Sequence, residues 1–354
     1  MAENSGIQWL TRDGINGATF NPWYSCSHAM YVGSDSREHV HPGCLNCYAE
    51  DLMDNRYGKC IWGSSGNRVV TSPGYWRKPD QWNRRATNRY RMSVFPSLCD
   101  PFEDWTGPMV NASGIRGFMS ESRPLQPRWP TVGESLDGMR PLEMNDVRRK
   151  LFWEIDHTEW LDWLLFTKRP QNVLKMWPTI EQSGLAALQA AVEPLQVGHL
   201  RWPRQNVTLC YSASNQETLN YGVPLSLHCH GLCPTIGISL EPMLGVVDMR
   251  HVKLEVGTID VLRGVYPGLP DGINPRIGWV IIGVESDGPR VGRLGDFASE
   301  ADWWDAAAFV VQQCVDAGTP VFLKQGPRNG RIVDRLEDFP EPCRVRQFPV
   351  LAAV

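Results

Sequence analysis

Seven short apolar runs, most of them ending in polar residues, recur along the 354-residue chain and constrain its fold more than any other feature. Runs of this length and composition are typical of strands buried on both faces of a sheet, and helix-like segments follow most of them. They cover residues 18–20, 92–95, 163–166, 207–211, 235–240, 279–283 and 321–323. The pattern predicts about seven strand-helix units and an α/β protein with a parallel sheet.

Such a sheet can be open or closed. An open, doubly wound sheet that binds a dinucleotide carries a glycine-rich turn after its first strand, and no such turn follows residues 18–20. We therefore predict a (β/α) barrel, complete or partial. It forms one domain over residues 1–325, and residues 326–354 are a C-terminal extension.

Helices are expected over residues 45–57, 145–156 and 302–317, and Gly318 is a C-cap signal for the last of them. Two segments have the composition of inserted loops. Residues 27–42 are polar, and residues 106–141 are rich in Gly, Pro and Ser with little periodicity. We expect these insertions to act as lids or to contact partners.

Polar side chains follow the predicted strands and should converge on one mouth, because parallel strands end at the same edge of a sheet. These strand-end residues are Ser97, Asp100, Thr167, Lys168, Arg169, Ser212, Ser214, Glu241, Glu285, Ser286 and Lys324. Since Lys168 and Arg169 end a buried strand, a functional role is favoured over a solvated helix-entry loop.

Three cysteines near the N-terminus restrict the possible chemistry of the protein more than any other residues. Cys44 and Cys47 form a Cys-x-x-Cys turn that can direct two sulfurs at one ion or cluster, and Cys26 is the third candidate ligand. Three thiolates on an iron-sulfur cluster leave one iron free. A closed zinc site that also uses Cys60, His28, His39 or His41 fits the spacing equally well, and the thiols can also be buried small hydrophobes.

Composition excludes some classes of protein. No run of 18 apolar residues occurs, and the start of the chain lacks a basic segment followed by an apolar one. Ten irregularly spaced cysteines favour metal ligands or free thiols over a disulfide framework. We therefore expect a cytoplasmic protein with no membrane partner, and the formal net charge of −4 argues against non-specific coating of nucleic acid.

One local stretch, residues 75–91, is basic and aromatic. Arginine pairs with phosphate and aromatic rings stack on bases, so the stretch is a candidate nucleic-acid surface, with a solvated basic face as the alternative. The candidate contacts are Arg77, Lys78, Trp82, Arg84, Arg85 and Arg89.

Several motifs together resemble the phage-associated three-cysteine radical-SAM-like proteins, where SAM is S-adenosylmethionine. Phe20-Asn21-Pro22-Trp23 precedes Cys26, and Pro-Gly-Cys-Leu-Asn-Cys-Tyr-Ala-Glu spans residues 42–50. The likeness continues through residues 95–102, 165–170, 239–245, 280–286 and 322–325. Two departures stand out: seventeen residues separate Cys26 from Cys44, and Asn46 occupies a position that is aromatic in the family.

The resemblance implies a partial barrel of the radical SAM type, with a 4Fe-4S cluster on Cys26, Cys44 and Cys47 whose open iron binds SAM. It implies catalytic roles for Lys168, Arg169, Glu241 and Glu285. The cofactor-binding residues would be Ser97, Asp100, Thr167, Ser212, Ser214, Glu241, Glu285, Ser286 and Lys324. The electron donor would be flavodoxin-like or ferredoxin-like.

The resemblance also implies a substrate. Some proteins of this type belong to pathways that hypermodify thymine in phage DNA, where a radical step rearranges an amino-acid substituent on the base in the host cytoplasm. The alternatives are a zinc-stabilised, non-catalytic nucleic-acid-binding protein and a DNA-repair enzyme that resembles the spore photoproduct lyases.

Overall fold

The computed structural model describes residues 3–87, 89–120, 125–131, 133–179, 203–255, 257–268, 274–286 and 293–350. The strands in these ranges are β1 (Ala18–Thr19), β2 (Trp23–Tyr24), β3 (Met30–Val32), β4 (Glu38–Val40), β5 (Arg68–Val70), β6 (Met92–Phe95), β7 (Met109–Val110), β8 (Phe118–Ser120), β9 (Met139–Pro141), β10 (Leu161–Thr167), β11 (Val207–Ser212), β12 (Thr235–Leu240), β13 (Val252–Leu254), β14 (Gly257–Ile259), β15 (Trp279–Gly283), β16 (Val321–Arg328) and β17 (Arg331–Val333).

The α-helices in the same ranges are α1 (Tyr48–Glu50), α2 (Pro73–Trp76), α3 (Lys78–Ala86), α4 (Met144–Asp156), α5 (Pro170–Met176), α6 (Gln216–Leu227) and α7 (Glu300–Ala317). A π-helix, Asp51–Arg56, continues α1. Short 3₁₀ turns cover Gln8–Leu10, Pro42–Cys44, Leu336–Asp338 and Glu341–Cys343.

The seven predicted strands are confirmed, and they form one sheet. Its order is β1-β6-β10-β11-β12-β15-β16-β17. The first seven strands pair in parallel, and β17 pairs antiparallel with β16. The strand order follows the chain order, so each new strand extends the same edge, without the reversal that defines a doubly wound sheet.

The prediction of a (β/α) barrel is wrong. The eight strands make an open, curled sheet, a half-barrel in which β1 and β17 are the two edges and do not pair with each other. Closure would require β1 to bond to the last parallel strand. Instead, the chain turns back after β16 through Asn329 and Gly330, both with positive φ, and β17 occupies that edge.

Side chains alternate between the two faces of the sheet. Trp163, Leu165, Val280 and Ile282 belong to the large core shared with the helices. Their neighbours Leu164, Phe166, Trp279 and Ile281 form a second core on the concave face. Trp9 and Leu10 from the N-terminal 3₁₀ turn complete this second core. The N-terminal segment therefore covers the concave face, which would be the interior of a closed barrel.

The predicted helices are confirmed, with small shifts. Residues 45–57 contain α1 and its π continuation, 145–156 correspond to α4, and 302–317 correspond to α7. Gly318 adopts the left-handed conformation, with φ 67°, as expected for a C-cap.

Both predicted insertions contain short strands. Residues 27–42 hold the hairpin β3–β4, and the described part of 106–141 holds β7, β8 and β9. The division into residues 1–325 and 326–354 stays a prediction. None of the helices in the described ranges is long and apolar enough to cross a membrane.

The close packing of α6 on β11 gives a stability prediction. A methyl group at Gly222 would overlap the ring of Tyr211, so Gly222→Ala should lower the free energy of unfolding by about 1–3 kcal/mol. Gly74→Ala is the control. A methyl group there lies 3.6 Å from the nearest side chain, and the change should be neutral or stabilising by up to about 1 kcal/mol. Urea unfolding of both variants measures the difference, and equal stabilities would contradict the packing.

Candidate functional site

A cavity of about 570 Å³ lies at the carboxyl ends of the parallel strands. This volume is in the range of pockets that hold small molecules and cofactors. It is lined by the three candidate metal ligands and by ten of the eleven strand-end candidates: Cys26, Cys44, Cys47, Ser97, Asp100, Thr167, Lys168, Arg169, Ser212, Glu241, Glu285, Ser286 and Lys324. The convergence predicted from parallel strands therefore occurs without barrel closure.

Ser214 is the exception among the strand-end candidates. Its side chain is buried and does not line the cavity. Its backbone N–H donates to Thr218 Oγ1 at 3.0 Å, and its hydroxyl lies beneath Gly43, where a Cβ would approach within 3.1 Å. Ser214 therefore packs against the second cysteine loop at Gly43.

The first cysteine loop is held by Arg169. An Nη1–H of Arg169 donates to Cys26 Sγ at 3.4 Å, and an Nη2–H donates to the Ser27 carbonyl at 2.7 Å. Burial raises the pKa of the Cys26 thiol, and the nearby guanidinium opposes that shift. A cation that donates to the sulfur favours the thiolate, which is the form that binds metal.

A buried carboxylate, Glu103, supports the same loop from behind. It accepts two hydrogen bonds from the Arg68 guanidinium, at 2.7 and 2.8 Å, and two from the N–H and hydroxyl of Ser27, both at 2.7 Å. Arg68 and Glu103 are fully buried, and the guanidinium packs over Trp105 at 3.8 Å. Sequence reasoning missed this pair, because no local spacing connects residues 35 positions apart.

The second cysteine loop begins with a 3₁₀ turn over Pro42–Cys44. The Gly43 N–H donates to His41 Nδ1 at 3.1 Å, and the Ala29 N–H lies 3.4 Å from Cys44 Sγ. His41 is thus engaged in shaping the turn. Cys47 follows as the N-cap residue of α1, and burial raises the pKa of its thiol.

Glu285, which follows β15, contacts this second loop. It forms an ion pair with Arg293 at 2.9 Å and a hydrogen bond with Asn46, and Arg293 also donates to the Pro42 carbonyl at 3.2 Å. Burial raises the pKa of the Glu285 carboxyl, and Arg293 and Asn46 oppose the shift. Asn46 is therefore a residue through which the sheet contacts the Cys-x-x-Cys turn.

Lys168 is placed differently from the other strand-end charges. In the described part of the chain its ammonium forms no hydrogen bond or ion pair. Burial lowers the pKa of Lys168, but attraction to Cys44, Cys47 and Asp100 outweighs that effect and raises it overall. The side chain therefore offers an uncommitted cation among the three cysteines.

Glu241, which follows β12, also lines the cavity. It pairs with Lys324 at 2.9 Å and accepts a hydrogen bond from the Trp9 indole N–H at 3.1 Å. Lys324 also donates to the Ser286 hydroxyl at 3.3 Å. The Trp9 ring stacks on Phe166 with a centroid distance of 4.9 Å. Trp9 was not recognised from the sequence, since its role depends on the N-terminal segment crossing the concave face.

Cys99 is a further thiol in the cavity wall, although it was not among the predicted metal ligands. It follows β6 and lies close enough to Cys26 for the two thiols to interact electrostatically. Burial raises the pKa of Cys99 well above its usual value.

The donors that a zinc site would need do not converge. Within the described ranges, no group of three or more His, Cys, Asp or Glu side chains is arranged to hold one metal ion. His28 pairs with Glu50 and His39 with Asp35, and Cys60 is buried in an apolar cluster against which Cys26 and Cys47 pack. The three cysteines instead border a cavity, and thiolates that bind separate irons of a cluster need not meet at one point.

The nucleic-acid candidates lie outside the cavity, in α3 and the residues that flank it. Trp82 is only 2% exposed, and Arg84 pairs with Asp80. Lys78 and Arg85 both pair with Glu3, so they hold the N-terminal segment. Arg77 and Arg89 are exposed.

The family model described as "Protein of unknown function (DUF5131)" matches residues 136–335, more than half of the chain. The protein therefore belongs to this family. No curated protein and no solved structure gives a match. The matched region contains the ends of β10, β11, β12, β15 and β16, whereas the three cysteines lie before it.

The burial of Glu103 gives a second stability prediction. Glu103→Gln should lower the free energy of unfolding by about 3–5 kcal/mol, because Arg68 then loses its counter-charge while it stays buried. Asp104→Asn is the matched control. The neighbouring Asp104 is exposed and pairs with Lys175 at the surface, so its loss should change stability by no more than about 1 kcal/mol. Denaturant unfolding compares the two, and similar losses would contradict the role of the pair.

Proposed function

We propose that this protein is a radical SAM enzyme whose 4Fe-4S cluster is held by Cys26, Cys44 and Cys47. The observation that carries the proposal is that these three thiols border one cavity together with the uncommitted ammonium of Lys168. The donor set suits an iron-sulfur cluster, since three thiolates leave one iron without a protein ligand. It does not suit one zinc ion, because no group of donors in the described residues meets at one point.

The charges in the cavity support an anionic occupant. A partly buried ammonium without a carboxylate partner loses hydration, and a negatively charged group nearby offsets that loss. A cluster bound by three thiolates is such a group, and the carboxylate of SAM is another. Lys168 thus fits the role of binding the SAM carboxylate beside the cluster.

When bound, the cluster and SAM would supply a 5′-deoxyadenosyl radical. The protein's own residues position the cofactor and exclude water. Trp9, Phe95 and Phe166 pack together at the concave wall of the cavity and limit access of solvent. The hydroxyls of Ser97, Ser212 and Ser286 line the cavity and are available to SAM.

The other charged candidates divide into two groups. Arg169 and Glu285 contact the cysteine loops, so we assign them to shaping the cluster site. Glu241 and Lys324 form an ion pair in the cavity wall, where they would face the ribose and amino group of SAM or the substrate.

For the substrate, we propose a hypermodified thymine in phage DNA, with rearrangement of an amino-acid substituent as the reaction. The resemblance to phage-borne proteins and the exposed Arg77 and Arg89 support this proposal. The reaction would take place in the host cytoplasm and would require a flavodoxin-like or ferredoxin-like electron donor. A repair reaction of the spore photoproduct lyase type would act on damaged thymine instead.

Iron analysis tests the cluster. Anaerobically reconstituted protein should bind about four irons per chain, and Cys26→Ala, Cys44→Ala and Cys47→Ala should each abolish that binding. Cys314→Ala and Cys343→Ala are the controls, since both thiols are buried in the large core, and they should retain iron. Cys99→Ala should also retain iron, because the proposed cluster uses only three cysteine ligands. Metal analysis and a SAM cleavage assay provide the readouts.

Two outcomes would contradict the proposal. Stoichiometric zinc without iron would favour the non-catalytic alternative. Loss of the cluster in Cys99→Ala would indicate four protein ligands and no open iron for SAM.

Salt-dependent binding tests the DNA substrate. Neutralising Arg77, Arg84 and Arg89 together should weaken binding and reduce the slope of log K against log salt by about 0.9 for each phosphate that the variant no longer neutralises. Arg85 is left in place because it holds Glu3. A triple change at Arg328, Arg331 and Arg335, which are exposed at the far edge of the sheet, is the matched control. Equal slopes in wild type and both variants, or no DNA binding by the wild type, would exclude this surface.

A further inference from the structure

Arg169 lies shortly after β10, and its guanidinium is committed to protein partners on two sides. One side faces the Cys26 loop, where Nη1 donates to Cys26 Sγ at 3.4 Å and Nη2 donates to the Ser27 carbonyl at 2.7 Å and to its hydroxyl at 3.1 Å. The other side faces Asp100, which accepts from Nη1 at 3.0 Å. With both nitrogens engaged, Arg169 is poorly placed to bind a substrate carboxylate or phosphate.

Asp100 is itself held by backbone and side-chain donors. Its carboxylate accepts from the Thr167 hydroxyl at 2.8 Å, the Lys168 N–H at 3.1 Å and the Phe102 N–H at 2.9 Å. The guanidinium orientation is therefore set by the ends of two neighbouring strands, β6 and β10. An arginine fixed in this way presents a rigid N–H to the Cys26 sulfur.

We propose that Arg169 is a positioning residue that holds Cys26 as a cluster ligand and raises the reduction potential of the cluster. This inference rests on the proposed function. Hydrogen bonds to ligand sulfurs and nearby positive charge stabilise the reduced cluster, which carries one more negative charge than the oxidised one. Cys44 accepts a backbone N–H from Ala29, so among the hydrogen bonds found in the described residues only Cys26 receives one from a cationic side chain.

The test is a redox titration of the reconstituted cluster, followed by electron paramagnetic resonance. Arg169→Gln removes the positive charge, and the midpoint potential should become more negative than in wild type. Arg169→Lys retains the charge but loses the forked geometry, so a smaller shift in the same direction is expected. Iron content and circular dichroism are measured on the same samples.

Arg204→Lys is the matched control. Arg204 is as deeply buried and pairs with Asp156 at 2.7 Å, but it packs on Phe152 and Trp177 on the helix side of the sheet. This variant should lose some stability and keep the wild-type potential. Loss of iron in both Arg169 variants, with normal circular dichroism and normal iron in Arg204→Lys, would also support the positioning role.

The outcomes separate this inference from the proposed function. If the wild-type protein binds no iron, both the proposed function and the role of Arg169 are overturned. A wild-type cluster with full iron and an unchanged potential in Arg169→Gln overturns only the role of Arg169. Equal loss of iron in the Arg169 and Arg204 variants overturns it as well, since the effect would then be general destabilisation.

Discussion

The candidate site depends on the complete burial of Glu103. A carboxylate out of contact with water has to be paired and hydrogen-bonded, and Arg68 and Ser27 together supply four donors. Ser27 is the residue after Cys26, so the electrostatic requirement of Glu103 fixes the first cysteine loop against the segment that follows β6. Arg169 and Asp100 then add a second attachment from the strand ends.

The open edge of the sheet creates a second requirement. A curled sheet that does not close exposes its concave face, and this chain covers that face with the N-terminal segment. Glu3 is held by Lys78 and Arg85, Gln8 by Asp334, and Trp9 by Glu241. The same segment therefore completes the second core and forms a wall of the cavity, which links the stability of the fold to the shape of the site.

The charges around the cavity have distinct structural roles. Arg169 and Glu285 contact the two cysteine loops, and Glu241 and Lys324 neutralise each other. Lys168 is left among the thiols without a carboxylate partner in the described residues. The wall nearest the cysteines is therefore suited to a negatively charged group, which is the basis of the proposed cluster and SAM site.

The sequence by itself determined the seven parallel strands, the three predicted helical segments and the convergence of strand-end side chains on one edge of the sheet. These features follow from local apolar runs and from the rule that parallel strands end at one edge. Ten of the eleven strand-end candidates were placed in the cavity wall for that reason.

Only the tertiary structure decided whether the sheet closes and which charges meet. Closure of the sheet requires the first and last parallel strands to pair, and in this chain β17 pairs with the last parallel strand, β16, instead. Pairs such as Arg68 with Glu103 and Trp9 with Glu241 join residues far apart in the chain, and no local period encodes them. Strand formation is a local property of the chain, whereas closure and ion pairing depend on how distant segments pack.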